Sequence, residues 1–264
     1  MSAHALDPIA LPVPAAETQA VTATAATPAR DRTSVKPRVR AILLVVALGI
    51  LVFPIADLLR AAGKPDFNGY GGIDYSLYMD STRRWLAGGS FFQPYQLAGP
   101  YELHMGDVLY PPTTLVLFVP FTILPAVLWW VIPLGATAAM VWRLRPAPVS
   151  WPFLALCCFW PPFVARIVAG NPVMWAMAAV ALGFAVRWAF VGVLIKPSLF
   201  PFALLGVRDR GWWIALAVAL AVSIPFGAMW LDWVTAVTNS SGGLLYSLQD
   251  VPILLLPVIA ARMR

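Results

Sequence analysis

The chain has 264 residues, 60% of them apolar and only 11% charged, with a mean hydropathy of +0.77. That balance excludes an ordinary soluble domain and points to a protein embedded in a membrane. The net charge of +6 is no nucleic-acid signal, because the basic residues stand singly or in pairs at the ends of apolar runs, where positive-inside topology and anionic lipid account for them. Twelve Trp and 25 Pro add the expectation of aromatic belts and of spans that are kinked or short. Cys157 and Cys158 are adjacent within an apolar run, where core filler is a better reading than a disulfide or a metal site. With His4 and His104 as the only histidines, neither a metal centre nor a cofactor is predicted.

Residues 1–40 are predicted to be a disordered cytoplasmic tail, rich in Ala, Pro and Thr over 1–35. No signal peptide is expected, because the first apolar stretch begins only at Ala41 and lacks a cleavage site. Arg30, Arg32, Lys36, Arg38 and Arg40 precede that stretch, which places the N-terminus in the cytoplasm of a plasma (inner) membrane protein and sends 41–59 outward. Residues 41–264 form the multi-pass membrane domain, with 60–109 as an extracytoplasmic loop.

The longest polar interval, 71–112, defines that loop, and with Asp66 just before it holds five of the twelve carboxylates: Asp66, Asp74, Asp80, Glu102 and Asp107. An amphipathic helix is predicted over 75–87, with Tyr75, Tyr78, Met79, Thr82, Trp85 and Leu86 on one face and Ser76, Asp80, Arg83 and Arg84 opposite. Such a helix suits the headgroup layer, and Gly88 and Gly89 end it. Residues 113–142 follow, broken by Pro120, Pro125 and Pro133 into two short helices folded at Pro125, or into one crossing plus a re-entrant piece. Further apolar blocks cover 149–169, 172–190, 191–206, 212–230 and 243–261. About eight membrane helices in an all-α polytopic bundle, some not fully spanning, are expected. Arg208, Arg210, Arg262 and Arg264 favour the cytoplasm, as do Arg143 and Arg145, yet strict alternation of the blocks would put the last pair outside.

Several polar groups stand out. Lys196 lies inside an apolar block, where a cation costs roughly 2.5–3.5 kcal/mol on insertion scales. It either faces a cavity, where it would suit a phosphate, or snorkels to an interface. Asn171 in Gly170-Asn171-Pro172 reads first as a turn capping a helix that starts at Pro172. Tyr110 before Pro111-Pro112 reads as an interfacial tyrosine at a helix start. Asp74 directly before the amphipathic helix has the bland reading of an N-cap, and Asp80 that of an i,i+4 partner for Arg84. No GxSxG, HExxH, P-loop or GxGxxG motif occurs in a fitting context.

Taken in order, these pieces resemble glycosyltransferase family 87, the polyprenol-phosphate-mannose-dependent membrane mannosyltransferases. The matching pattern is Asp74-x-x-x-Tyr78, Trp85-Leu86-x-Gly88, Tyr110-Pro111-Pro112 with Pro120 and Leu124-Pro125, Gly170-Asn171, and Lys196-Pro197 before a basic loop. It covers roughly residues 70–213. The chain departs from the family in lacking several C-terminal helices and in carrying Asn171 where many members have glutamine. The resemblance implies a C-type glycosyltransferase fold that transfers mannose, with inversion, from a polyprenyl-phosphate donor to a lipid or glycan acceptor. It implies Asp74 as general base, Lys196 as the donor-phosphate group, and Tyr78, Tyr110 and Asn171 as substrate-binding residues. Two alternatives stay open: a small transporter or flippase with Lys196 and Arg166 along a solute path, and a shortened, non-catalytic scaffold.

Overall fold

A computed structural model describes residues 35–62, 71–104, 106–243 and 247–263. The N-terminal tail before Val35 and Asp66 lie outside the described residues. Secondary structure among the described residues is helical, apart from one isolated parallel bridge between Tyr101 and Ser240.

Helix α1 (Pro37–Ala62) opens with a proline at its first position, where the missing N–H costs nothing. Its apolar part, Pro37–Arg60, is 24 residues long, about 36 Å at 1.5 Å per residue and enough for the ~30 Å hydrocarbon layer. Val45 and Phe53 are among its many exposed apolar side chains, as a lipid-facing helix requires. The loop that follows carries α2 (Ile73–Leu86) and the single turn α3 (Pro94–Ala98). Next come α4 (Leu115–Phe121), α5 (Leu128–Leu144), α6 (Trp151–Phe159), α7 (Pro161–Ala169) and α8 (Val173–Gly183). A 3₁₀ stretch, Arg187–Ile195, leads to Lys196, then α9 (Phe200–Ala203), α10 (Arg210–Ser223), α11 (Gly227–Asn239) and α12 (Val251–Arg262).

Besides α1, one described helical rod is long and apolar enough to cross a membrane: Arg210–Asn239, formed by α10 and α11. A third candidate is the pair α6 and α7, bent by 61°. Trp160 causes that bend, because the following Pro161 pushes it out of the helical region to φ −56°, ψ 122°. Lys196 before Pro197 breaks the chain for the same reason, at φ −128°, ψ 85°.

The stretch 113–142 adopts the two-helix alternative, with the fold between Phe121 and Leu128. The boundary expected at 190/191 moves, since α8 ends at Gly183 and the chain turns back there. A Cβ on Gly183 would sit 2.6 Å from the Phe190 ring, so this turn is closed by a close approach that only glycine permits. Helix α8 is buried on nearly all sides, with Met174 in one aromatic-rich core and its neighbour Val173 in a second, aliphatic one.

The block count behind the conflict over Arg143 and Arg145 changes, because α4, with seven residues, reaches only about 10 Å, too short for a crossing of its own. It lies beside α2, where the Tyr75 hydroxyl donates to the Phe121 carbonyl at 3.2 Å. At the far end of α5, Arg145 lines a groove with Arg40, and the amide of Ala147 donates to the Met263 carbonyl at 2.7 Å. The arginines flanking α1, α5 and α12 therefore gather at one end of the molecule.

Candidate functional site

The site begins with how α2 is held. Gly72 caps it in the left-handed conformation (φ 67°), and its N–H donates to the Val168 carbonyl at 2.8 Å. Asp74 is therefore the second residue of the helix and makes no capping hydrogen bond, which overturns its reading as an N-cap. The Asp80–Arg84 pairing is overturned too. Asp80 pairs with Arg83 at 3.0 Å, while Arg84 folds over the helix end and donates to the carbonyls of Ser90 and Phe91. The predicted apolar face survives at Tyr78, Met79 and Thr82, but Leu86 is exposed and Ser81 is buried in its place.

The turn between α7 and α8 supplies the partner. Gly170 is left-handed (φ 75°), its carbonyl accepts from Trp129 Nε1 at 2.7 Å, and the Ile167 carbonyl accepts from Trp130 Nε1 at 2.7 Å. Those contacts fix Asn171, whose Oδ1 accepts from the Val173 amide at 3.0 Å and from the Tyr110 hydroxyl at 3.2 Å. The expected capping role is real. With Oδ1 so occupied, Nδ2 points away from the helix and donates to Asp74 Oδ2 at 2.6 Å.

Tyr110 is placed by the loop 94–110, which is fastened to the end of α11. The Tyr101 amide donates to the Asn239 carbonyl at 2.9 Å, and Trp233 Nε1 donates to the Leu109 carbonyl at 3.0 Å. The Tyr110 ring meets Tyr78 edge-on at 5.0 Å, and Tyr78 stacks on Phe118 at 5.2 Å. Lys196 Nζ lies 5.5 Å from the centre of the Tyr110 ring, within cation–π range.

Lys196 is fully buried and does not snorkel: its Nζ donates to Asp250 Oδ2 at 2.6 Å, and Arg166 Nε donates to the other oxygen of the same carboxylate at 3.0 Å. Asp250 is itself 0% exposed and Arg166 is the partly open member, its side chain 27% exposed. Two cations sharing one carboxylate leave a net positive charge there. Sequence reasoning missed Asp250. The signal was present, since it is the single carboxylate inside the 243–261 apolar block, the counterpart of a lone lysine in another.

One cavity of about 220 Å³ is lined by Asp74, Tyr78, Tyr110, Asn171, Lys196 and Arg166, with Asp107 on its wall. Every residue singled out as a site residue in the sequence thus meets at this cavity. Burial raises the Asp74 carboxyl above its ordinary value; the Asn171 hydrogen bond and the charges of Arg166 and Lys196 pull it partly back, and Asp250 pushes it up. Among the described residues no second hydrogen bond reaches the Asp74 carboxylate. The arrangement offers a basic carboxylate beside a cationic cluster. Comparisons with protein-family models, curated proteins and solved structures return no match.

Proposed function

We propose that the chain is a membrane glycosyltransferase that moves a sugar from a polyprenyl-phosphate donor to a hydroxyl acceptor. The supporting observation is the shared cavity, in which a carboxylate of raised pKa faces Arg166 and Lys196. A sugar hydroxyl is a weak nucleophile and needs a base within hydrogen-bond reach. Asp74 takes the hydroxyl proton as the acceptor oxygen bonds to the anomeric carbon. The bond from that carbon to the phosphate oxygen breaks, and its electron pair leaves on the lipid phosphate. Attack opposite the leaving group inverts the anomeric centre. Arg166, the more exposed cation, meets the phosphate first, and Lys196 stabilises the growing charge through the shared Asp250 cluster. Asn171 holds the Asp74 carboxylate in place. Mannose as the sugar and a lipid or glycan acceptor follow from the family 87 resemblance.

In this reading the chain crosses the membrane eight times, counting the short passes α8, Arg187–Ile195 and Pro197–Gly206, with the cavity at the extracytoplasmic face and the N-terminus inside. Short passes are tolerated when their ends are covered by protein. The buried Lys196–Asp250–Arg166 charges also support a second reading, a small transporter.

Asp74→Asn separates the two. The amide keeps the size and removes the base, a contribution worth about 10²–10⁴ in rate. Purified protein in vesicles with polyprenyl-phosphate sugar should lose transfer by that factor while its unfolding temperature stays near the parent's. Transfer at the parent rate would remove Asp74 as base and move the transporter reading ahead.

A further inference from the structure

A second cavity lies along the other half of α5, away from Asp74. It encloses about 1010 Å³, at the upper end of the ~300–1,000 Å³ typical of small-molecule sites. Its interior is apolar, walled by Leu134, Phe163, Met177 and Leu256. Even Thr137 presents only its methyl, because its hydroxyl donates to the Pro133 carbonyl at 2.8 Å. The rim differs: Arg40 and Arg145 stand there, and no carboxylate lines the cavity among the described residues. Arg40 is held over the Trp151 ring at 5.7 Å. Trp142, 86% exposed, stands beside Arg145, so the rim has the aromatic and cationic character of a headgroup layer. From Leu134 to Trp142 the wall runs eight residues along α5, about 12 Å at 1.5 Å per residue, from apolar floor to charged rim.

We propose that this groove is a binding site for one anionic glycerophospholipid from the leaflet on the N-terminal side of α1. An acyl chain fills the space between Leu134 and Leu256, and the phosphate is clamped by Arg40 and Arg145. Guanidinium groups suit that phosphate because each offers a planar pair of donors. A zwitterionic lipid has the same chains but brings a cation to a rim that already has two. The site is independent of the Asp74 chemistry, since α7 is the one helix that lines both cavities, through Arg166 in the first and Phe163 in the second, and no side chain is shared.

The test is lipid retention, read by native mass spectrometry on the full chain released from bilayers of mixed phosphatidylglycerol and phosphatidylcholine. The expected result is one phosphatidylglycerol held in preference to phosphatidylcholine, released progressively as salt screens the rim. Arg40→Gln and Arg145→Gln should each weaken retention roughly five-fold, the effect of one basic residue near an anionic lipid surface. Equal retention of the two lipids, or retention indifferent to salt in the parent chain, overturns the proposal even if the variants fail to fold. Unchanged retention in a folded Arg40→Gln/Arg145→Gln double variant overturns it as well. Displacement of phosphatidylglycerol by an equal amount of polyprenyl phosphate would assign the groove to the donor lipid and overturn it too.

Discussion

Asn171 decides how Asp74 is presented, because its amide oxygen is used by Val173 and Tyr110 and only its nitrogen remains for the carboxylate. A base must be ionised, so activity should fall as pH drops through the raised Asp74 pKa, with an acid limb above the ~3.9 of a free aspartate. Asn171→Asp removes the donor and adds a like charge. Both effects raise the Asp74 pKa further, so the limb of the kcat/KM profile should shift to higher pH; a shift to lower pH, or none, would detach Asn171 from the base. The buried ion cluster predicts a different pattern. Asp250→Asn removes the carboxylate that the buried Lys196 shares with Arg166, and removing one partner of a buried pair costs about 3–5 kcal/mol. The double variant Lys196→Met/Asp250→Asn should recover most of that stability in thermal unfolding, yet not sugar transfer. Asn171 and Lys196 could be picked out of the sequence as polar groups in apolar surroundings, whereas Asp74, one of five carboxylates in a polar loop, came forward only through the family 87 resemblance. Asp250 was equally visible as the lone carboxylate of its apolar block, but its pairing was not, since Asp-Val-Pro is ordinary helix-start grammar and its partner Lys196 lies 54 positions away.

Among the elements, the amphipathic pattern of α2 was legible because burial on one face imposes a 3.6-residue period. Its start was not, since the left-handed Gly72 cap is set by a hydrogen bond to Val168 in a distant turn. Apolar blocks were legible as composition, but the places where they break depend on ring packing, as at Gly183 with Phe190. The turn at Gly170 is the joint on which the site depends. A Cβ there would lie 2.7 Å from the Trp130 ring and 2.9 Å from Tyr75 Cβ, on a backbone with φ 75°. Gly170→Ala should therefore combine a left-handed penalty of roughly 1–2 kcal/mol with overpacking of roughly 1–3 kcal/mol. Gly88 is the control, because it has φ 87° but nothing within 4 Å of its Cβ position. Gly88→Ala should show only the backbone penalty in denaturant unfolding and keep its transfer activity, whereas Gly170→Ala should lose both stability and activity. Equal losses for the two variants would mean that the Trp130–Tyr75 contact does not position Asn171.

At the scale of the whole molecule, charge separates the two ends. Asp74, Asp107 and Asp250 gather around the cavity, and Arg40, Arg143, Arg145 and Arg262 stand at the opposite end. In the proposed arrangement, the positive-inside tendency would turn the arginine end to the cytoplasm and the cavity outward. Helix α2 follows the cavity: 14 residues reach only about 21 Å, too short to cross, so it should lie along the outer surface. Single cysteines test this in a Cys157→Ala/Cys158→Ala background, which removes the two native thiols of α6. Cysteine at Ser76 or Arg83, both on the exposed face of α2, should react with an impermeant thiol reagent added outside intact cells. Cysteine at Arg143, exposed at the far end of α5, should react only after permeabilisation. In the proposed eight-pass arrangement α4 does not cross, so α5 is the pass that separates these positions. External labelling at Arg143 together with Ser76 would mean that α5 turns back inside the bilayer, and labelling of Ser76 only from inside would invert the whole molecule and place the cavity in the cytoplasm.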